Sequence, residues 1–356
     1  MKDGKLQYAM IGGGPGSFIG PVHRGAIRLD DLAELVDGCY SHADDYRALL
    51  ERVKGKVDFV AICTPNDSHY EIAKAALAAG LDVMCEKPLS LTVAEATELE
   101  QLARRKRRML GIPFTYLGFP MVKLARDLVA KGELGKLDKI VLEYSQGSFR
   151  KLDFSKPLDK RNAWKMDPRR SGRSCVVADI GVHAFTLIEY VTGLEVKTLL
   201  ADLSSFAPGN RLDDDASMLL RLAQGAKAAV VVSKIATGEE NGVRLRVYGE
   251  KASLYWNQEE PNVLAVKSPF APERIYKRNA PYVAALSPAA KRATRLPAGH
   301  PEGFLEAFAN LYDEFCAAVR DRKPHDFPGP RAGVRSMKFV EAALKSHAAG
   351  NRWVKV

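Results

Sequence analysis

Leu6-Gln7-Tyr8-Ala9-Met10-Ile11-Gly12-Gly13-Gly14-Pro15-Gly16-Ser17-Phe18-Ile19-Gly20 decides how this chain is read. Leu6 to Ile11 is a short apolar run, a glycine cluster follows, and a helical pattern extends from Gly20 to Leu29. Strand, tight loop and helix in that order open a βαβ unit. Glycines after such a strand let the backbone turn and approach a pyrophosphate, whose charge the next helix N-terminus stabilises. Gly12 and Gly14 fit a GxGxxG fingerprint, with Gly20 as the third glycine after three extra residues. The loop therefore reads as a dinucleotide site contacted by Gly12, Gly14, Gly16, Ser17, Phe18 and Ile19.

Downstream, Val57 to Cys63 is a second buried-strand pattern, Ser68 to Ala79 a helix closed by Gly80, and Leu81 to Cys85 another strand. A helix over Val93 to Lys106 and a strand over Met109 to Phe114 follow. Helices alternating with continuous apolar strands imply a Rossmann-type doubly wound parallel sheet over residues 1–120. The pattern then changes. Helices are expected at Met121 to Lys131 and Ala178 to Thr192, and strands at Lys139 to Ser148, Thr198 to Ser205, Ala216 to Leu222, Ala226 to Ile235, Val243 to Tyr248 and Ser253 to Trp256. Turns at Gln224-Gly225 and Gly249-Glu250-Lys251 suggest hairpins, so residues 121–356 read as an α+β domain with a large open, mainly antiparallel sheet flanked by helices. Pro261 to Pro301 reads as a loop or arm. Helices over Glu302 to Val319 and Ser336 to Ala348 finish the chain, the last able to pack back on the first domain.

Composition narrows the function classes. The net charge is +10, but the densest basic run, Arg104 to Arg108, ends a helix, where cations suit the dipole, and no aromatic residues interleave with it. Nucleic-acid binding is set aside. No stretch approaches the roughly 18 consecutive apolar residues of a membrane span, and no secretory signal is visible, so a cytoplasmic protein is expected. The five scattered cysteines lack metal or redox spacing and read as reduced, buried thiols; no metal site is expected.

Three further motifs carry chemistry. Cys63-Thr64-Pro65-Asn66-Asp67-Ser68-His69 lies at the C-terminal end of a parallel strand, where open α/β sheets bind ligands. Cys85-Glu86-Lys87-Pro88 ends the next strand, where the proline restricts Lys87 and a cis bond would aim its ammonium into the cleft. Asp179-Ile180-Gly181-Val182-His183 puts an acid and a base four apart on one helix face. Taken singly, the second motif reads as a solvated turn and His183 as a structural hydrogen-bonding residue.

In this order and spacing the four motifs resemble the Gfo/Idh/MocA family of glucose-fructose oxidoreductases and inositol dehydrogenases. The likeness covers almost the whole chain, including Trp164-Lys165-Met166-Asp167-Pro168 and His300-Pro301-Glu302-Gly303-Phe304. It implies an NAD(P)-dependent oxidoreductase that moves hydride between nicotinamide and a carbinol or keto carbon of a sugar or cyclitol. The implied catalytic set is Lys87, Asp179 and His183: His183 accepts the hydroxyl proton, Lys87 stabilises the alkoxide, and Asp179 orients the imidazole or binds a neighbouring hydroxyl. Thr64, Pro65, Asn66, His69, Glu86 and Lys87 would border the cofactor, and Lys165 would join the catalytic residues around the substrate. The resemblance also implies a homodimer or homotetramer built through the open sheet.

Two departures from the family pattern stand out. The second strand passes almost directly into Asp44 to Leu50, shortening the segment that normally builds the adenosine pocket. Ser41, expected to touch the cofactor there, has neither an acidic neighbour for a ribose hydroxyl nor an arginine for a 2'-phosphate, so NAD and NADP both stay open, with a lean to NAD. Phe114-Thr115-Tyr116 stands where relatives often carry a polar or basic pair, and Tyr116 reads as a substrate contact or as packing. The family also offers two alternatives, a redox-assisted glycosidase and a non-catalytic dinucleotide-binding regulator.

Overall fold

The structure is a computed structural model that describes residues 4–40, 45–153 and 155–356. The chain divides into two compact units, residues 1–115 with 160–172 and 308–337, and residues 116–159 with 173–307 and 338–356.

In the first unit, β1 (Leu6–Gly12), α1 (Ile19–Leu29), β2 (Ala33–Cys39), α2 (Tyr46–Val53), β3 (Phe59–Cys63), α3 (His69–Ala78), β4 (Asp82–Cys85), α4 (Val93–Lys106) and β5 (Leu110–Gly111) alternate. The strands form one parallel sheet in the order β2-β1-β3-β4-β5, so β1 is an interior strand and its C-terminal end lies beside that of the central β3. Every side chain of β3 is buried, as a strand covered on both faces requires. The bounds of α4 follow from local chemistry. Thr92 and Glu95 form a reciprocal capping box at its start, and Arg107, in the left-handed region, ends it. The expected strand over Met109 to Phe114 shrinks to Leu110–Gly111, because Pro113 has no N–H for a ladder and Ile112 donates to Pro328 instead.

In the second unit, α5 (Pro120–Ala130) precedes β6 (Leu137–Ser145), whereas α6 (Lys160–Met166) and α7 (Pro168–Ser171) belong to the first unit. The expected helix over Ala178 to Thr192 begins one residue earlier and in a different form. Val177–Gly181 is a π turn, followed by α8 (Val182–Thr192). Then come β7 (Val196–Ser204), β8 (Asp215–Leu222), β9 (Lys227–Ser233), β10 (Gly242–Gly249), β11 (Ser253–Asn257), β12 (Val263–Ser268) and β13 (Ala271–Lys277).

The expected arm from Pro261 to Pro301 is therefore mostly ordered structure, since it also holds α9 (Val283–Leu286) and α10 (Pro288–Arg292). The strands there were hard to read because β13 is an edge strand carrying Pro272, Glu273 and Arg274, residues that protect an edge and erase the alternating pattern. The chain ends with α11 (Phe304–Asp321), α12 (Pro330–Ala348) and β14 (Val354–Lys355). The sheet order is β13-β12-β11-β10-β6-β9-β8-β7-β14, with every neighbouring pair antiparallel except β6 and β9. Among the described residues no helix is long and apolar enough to cross a membrane, and all five cysteines are buried and outside any disulfide.

Candidate functional site

In the first unit the expected cofactor residues gather at the C-terminal ends of β1, β3 and β4. A side chain at Gly12 would stand 2.7 Å from the Cys63 carbonyl, one at Gly14 would stand 2.7 Å from the Tyr40 carbonyl, and one at Gly20 would overlap Gly13. The loop thus touches β3, the end of β2 and its own helix through bare backbone, and Gly20 supplies the close helix packing. Gly16, with φ +82°, faces open space. Ser17 closes the turn by donating its amide to the Gly14 carbonyl at 3.0 Å, and its hydroxyl accepts from the Gly20 amide at 3.2 Å. Phe18 is more than half exposed, and Ile19 begins α1, whose first turn carries no acidic residue. Cradle, helix start and charge all fit a dinucleotide phosphate. Ser41 lies outside the described residues.

After β3, the Ser68 hydroxyl lies 2.8 Å from Thr64 Oγ1 and 2.9 Å from the Pro65 carbonyl. Asn66 is buried and donates to the Ser171 carbonyl at 3.1 Å, and Asp67 pairs with Arg170 at 3.5 Å, so this loop holds the segment of α7. Lys165, half-buried on α6, extends over the Trp164 ring. His69 is enclosed, with Nδ1 2.7 Å from the Pro88 carbonyl and Nε2 2.8 Å from the Thr64 carbonyl. Burial pushes its pKa down, against the pull of those carbonyls. Its ring therefore spans the two loops and reaches the site through the Lys87–Pro88 turn, whose peptide is cis.

Glu86 is buried with both oxygens engaged. Oε2 accepts from the Lys87 amide at 3.1 Å, and Oε1 lies 2.9 Å from His23 Nε2. His23 Nδ1 in turn lies 2.6 Å from the Tyr312 hydroxyl. Sequence reasoning missed His23 and Tyr312. The one available signal was a histidine on the inner stripe of α1 beside Ala26 and Ile27.

In the second unit the acid and base lie on the π turn and α8. Asp213 pins that helix start: its carboxylate accepts from the Ser174 hydroxyl at 2.8 Å and from the amides of Cys175 and Val177 at 2.9 and 3.0 Å. The π turn gives Asp179 and His183 a spacing different from the regular α-helical one assumed from the sequence. Asp179 Oδ2 accepts from Lys234 Nζ at 2.5 Å, and that ammonium is 2% exposed. Burial opposes the Lys234 charge, but Asp179, with Cys175 and Asp213 nearby, outweighs it and holds the pKa above the usual lysine range.

His183 is 8% exposed, its ring edge-on to Tyr116 at 5.1 Å. The Tyr116 hydroxyl is committed internally, 2.6 Å from that of Tyr144 and accepting from Asn241 Nδ2 at 3.1 Å. Burial raises its pKa to about 12, so it stays neutral. The Tyr116 ring therefore packs edge-on against His183, while its hydroxyl is held by Tyr144 and Asn241.

Residues 6–114 match the profile of the oxidoreductase family with an NAD-binding Rossmann fold, and residues 122–255 match the GFO/IDH/MocA C-terminal domain. The chain belongs to the Gfo/Idh/MocA oxidoreductase family. Among its relatives, the uncharacterized oxidoreductase YfiI of Bacillus subtilis is 31% identical over 98% of this chain and 96% of its own length. Inositol 2-dehydrogenase of Rhizobium meliloti is 24% identical over 96% of this chain and 97% of its own. The structure of an inositol dehydrogenase homolog from Azotobacter vinelandii, complexed with NADH and myo-inositol, superposes with a TM-score of 0.90 at 31% identity, covering 99% of this chain and 98% of that one. The parallel sheet and glycine cradle of this family member are thus an NAD-binding Rossmann fold, and the chain is an oxidoreductase.

Proposed function

We propose that this oxidoreductase transfers hydride between NAD and a secondary alcohol, or the matching ketone, of a cyclitol or monosaccharide, with Lys87, Asp179 and His183 as its catalytic residues. The carrying observation is that each unit holds its own reactive groups in a built frame: Lys87 by Glu86 and His69, Asp179 and His183 by Asp213. Bound NAD supplies the hydride acceptor. The His183 imidazole takes the hydroxyl proton at Nε2, since Nδ1 is enclosed by protein. The Lys87 ammonium stabilises the oxygen as negative charge develops, and Asp179 accepts from a ligand hydroxyl or orients the imidazole. Thr64, Pro65 and Lys165 line the ligand, while Asn66, His69 and Glu86 act by holding the loops around it. The names of the inositol-acting relatives support a polyol substrate. A reduced cytoplasm suits five buried thiols outside any disulfide.

A homo-oligomer built on the open sheet face also belongs to this reading. Leu200, Leu219, Ala229 and Val141 stand in register across β7, β8, β9 and β6, and Arg246 and Tyr255 continue the row. Leu219 and Val231 on that face are 49% and 42% exposed, an apolar stripe that a second copy would cover. A screen of inositols and monosaccharides with NAD, followed by NADH absorbance, tests the substrate class. Turnover of at least one polyol is expected, and turnover restricted to compounds without a carbinol would overturn it.

A further inference from the structure

The ion pair of Asp179 with Lys234 joins a proposed catalytic carboxylate to a residue with no assigned role. We propose that Lys234 is a positioning residue for the hydride-transfer reaction, an internal counter-ion that keeps Asp179 an anion and fixes the rotation of its carboxylate. The inference rests on the role given to Asp179 above.

The backbone places this lysine as firmly as its side chain. Lys234 directly follows β9, donating its amide to the Asp214 carbonyl at 2.8 Å, and its own carbonyl accepts from the Phe149 amide at 2.9 Å. The ammonium lies 5.0 Å from the centre of the Phe149 ring, which shields it from water. Asp213, the neighbour of Asp214, pins the start of the helix that carries Asp179. One dipeptide, Asp213-Asp214, therefore sets the positions of both members of the pair, so their separation is a property of the frame and not of two mobile side chains.

The charges around the pair give the placement its meaning. Lys234 faces the Asp179 and Asp213 carboxylates and the Cys175 thiol, while Asp179 also acts on the Tyr116 and Tyr144 hydroxyls, which burial keeps protonated. Asp213 already accepts three hydrogen bonds from its helix start. Asp179, about a quarter exposed, is thus the carboxylate to which the Lys234 ammonium is bonded. A carboxylate beside a buried cation stays ionised and accepts hydrogen bonds; without the cation, burial favours the protonated acid, which donates instead. That change would reverse the hydrogen bond Asp179 can make to a ligand hydroxyl or to an imidazole N–H.

Lys234→Met, Lys234→Arg, Asp179→Asn and the Lys234→Met/Asp179→Asn double variant test this, each first checked for NADH binding by fluorescence. In Lys234→Met, kcat/KM on the polyol found by the screen should fall about 100-fold near neutral pH. Its acid limb should also move up by about one to two pH units, and Lys234→Arg should return the limb to its wild-type position. In the Asp179→Asn background the same Lys234→Met change should cost less than about threefold, because the charge it served is gone. Infrared spectra near neutral pH give a readout independent of turnover: a protonated-carboxyl band present in Lys234→Met and absent from both wild type and the double variant. An unmoved acid limb with a uniform loss at every pH, fully additive variants, or no such band would overturn the inference. Absence of polyol turnover in the wild type, with the band present, would instead refute the reading of the reaction and leave the counter-ion role standing.

Discussion

Lys87 sits in a turn held on three sides. Glu86 takes its amide, His69 takes the Pro88 carbonyl, and Gly333 packs so closely on Leu89 that a side chain there would meet Leu89 at 2.6 Å. Such restraint suits the role proposed for its ammonium, since a misplaced charge loses its advantage in the transition state. His183→Ala should lower kcat by about 10²–10⁴-fold while the NADH dissociation constant, read by fluorescence titration, stays within about threefold. Lys87, Asp179 and His183 could be singled out as candidates in the sequence because each lies in a short signature. His23, Lys234 and Asp213 were not legible, because their roles come from partners 63, 55 and 36 or more positions away, pairings that only the folded chain creates.

At the level of elements, the start of the π turn and α8 depends on one carboxylate from a distant loop. Asp213→Ala removes three acceptor contacts from buried donors and should destabilise the protein by about 2–4 kcal/mol, read as a lower denaturant midpoint, with a loss of kcat that follows the displaced helix. The end of α11 offers a pH test. His325 is bonded to Asp321 at 2.9 Å and to Glu314 at 3.2 Å, and Asp321 chiefly, then Glu314, raises its pKa. A raised base stabilises the fold fully below its unfolded value of about 6.5, and that contribution fades as pH climbs through the higher folded value. His325→Ala should therefore lower Tm more at about pH 5.5 than at about pH 8.5; an equal loss at both would contradict the pairing. The bounds of α4 could be read from its capping box and apolar spacing. The π turn could not, since nothing local separates it from an α-helical start, and β13 hid behind its protective edge residues.

On the scale of the whole molecule, both sheet classes were legible from the change in hydrophobic grammar near residue 120, because fully buried parallel strands and half-exposed antiparallel strands carry different patterns. A role for the open face of the larger sheet was legible only as family likeness, and the register supplies a row of half-buried apolar residues around the exposed Leu219. Leu219→Glu with Val231→Lys should shift the sedimentation mass to that of a 39.1 kDa monomer, whereas a mass unchanged from the wild type would place any interface elsewhere. The central claim is that Lys87 stabilises the oxygen borne by the carbon from which hydride departs. Its most direct test is the rate of NADH formation from NAD and the best polyol of the screen, compared between wild type and Lys87→Ala under saturating cofactor. The account predicts a loss of about 10²–10⁴-fold in kcat with NAD binding retained; a variant that binds NAD normally and turns over at the wild-type rate would contradict it.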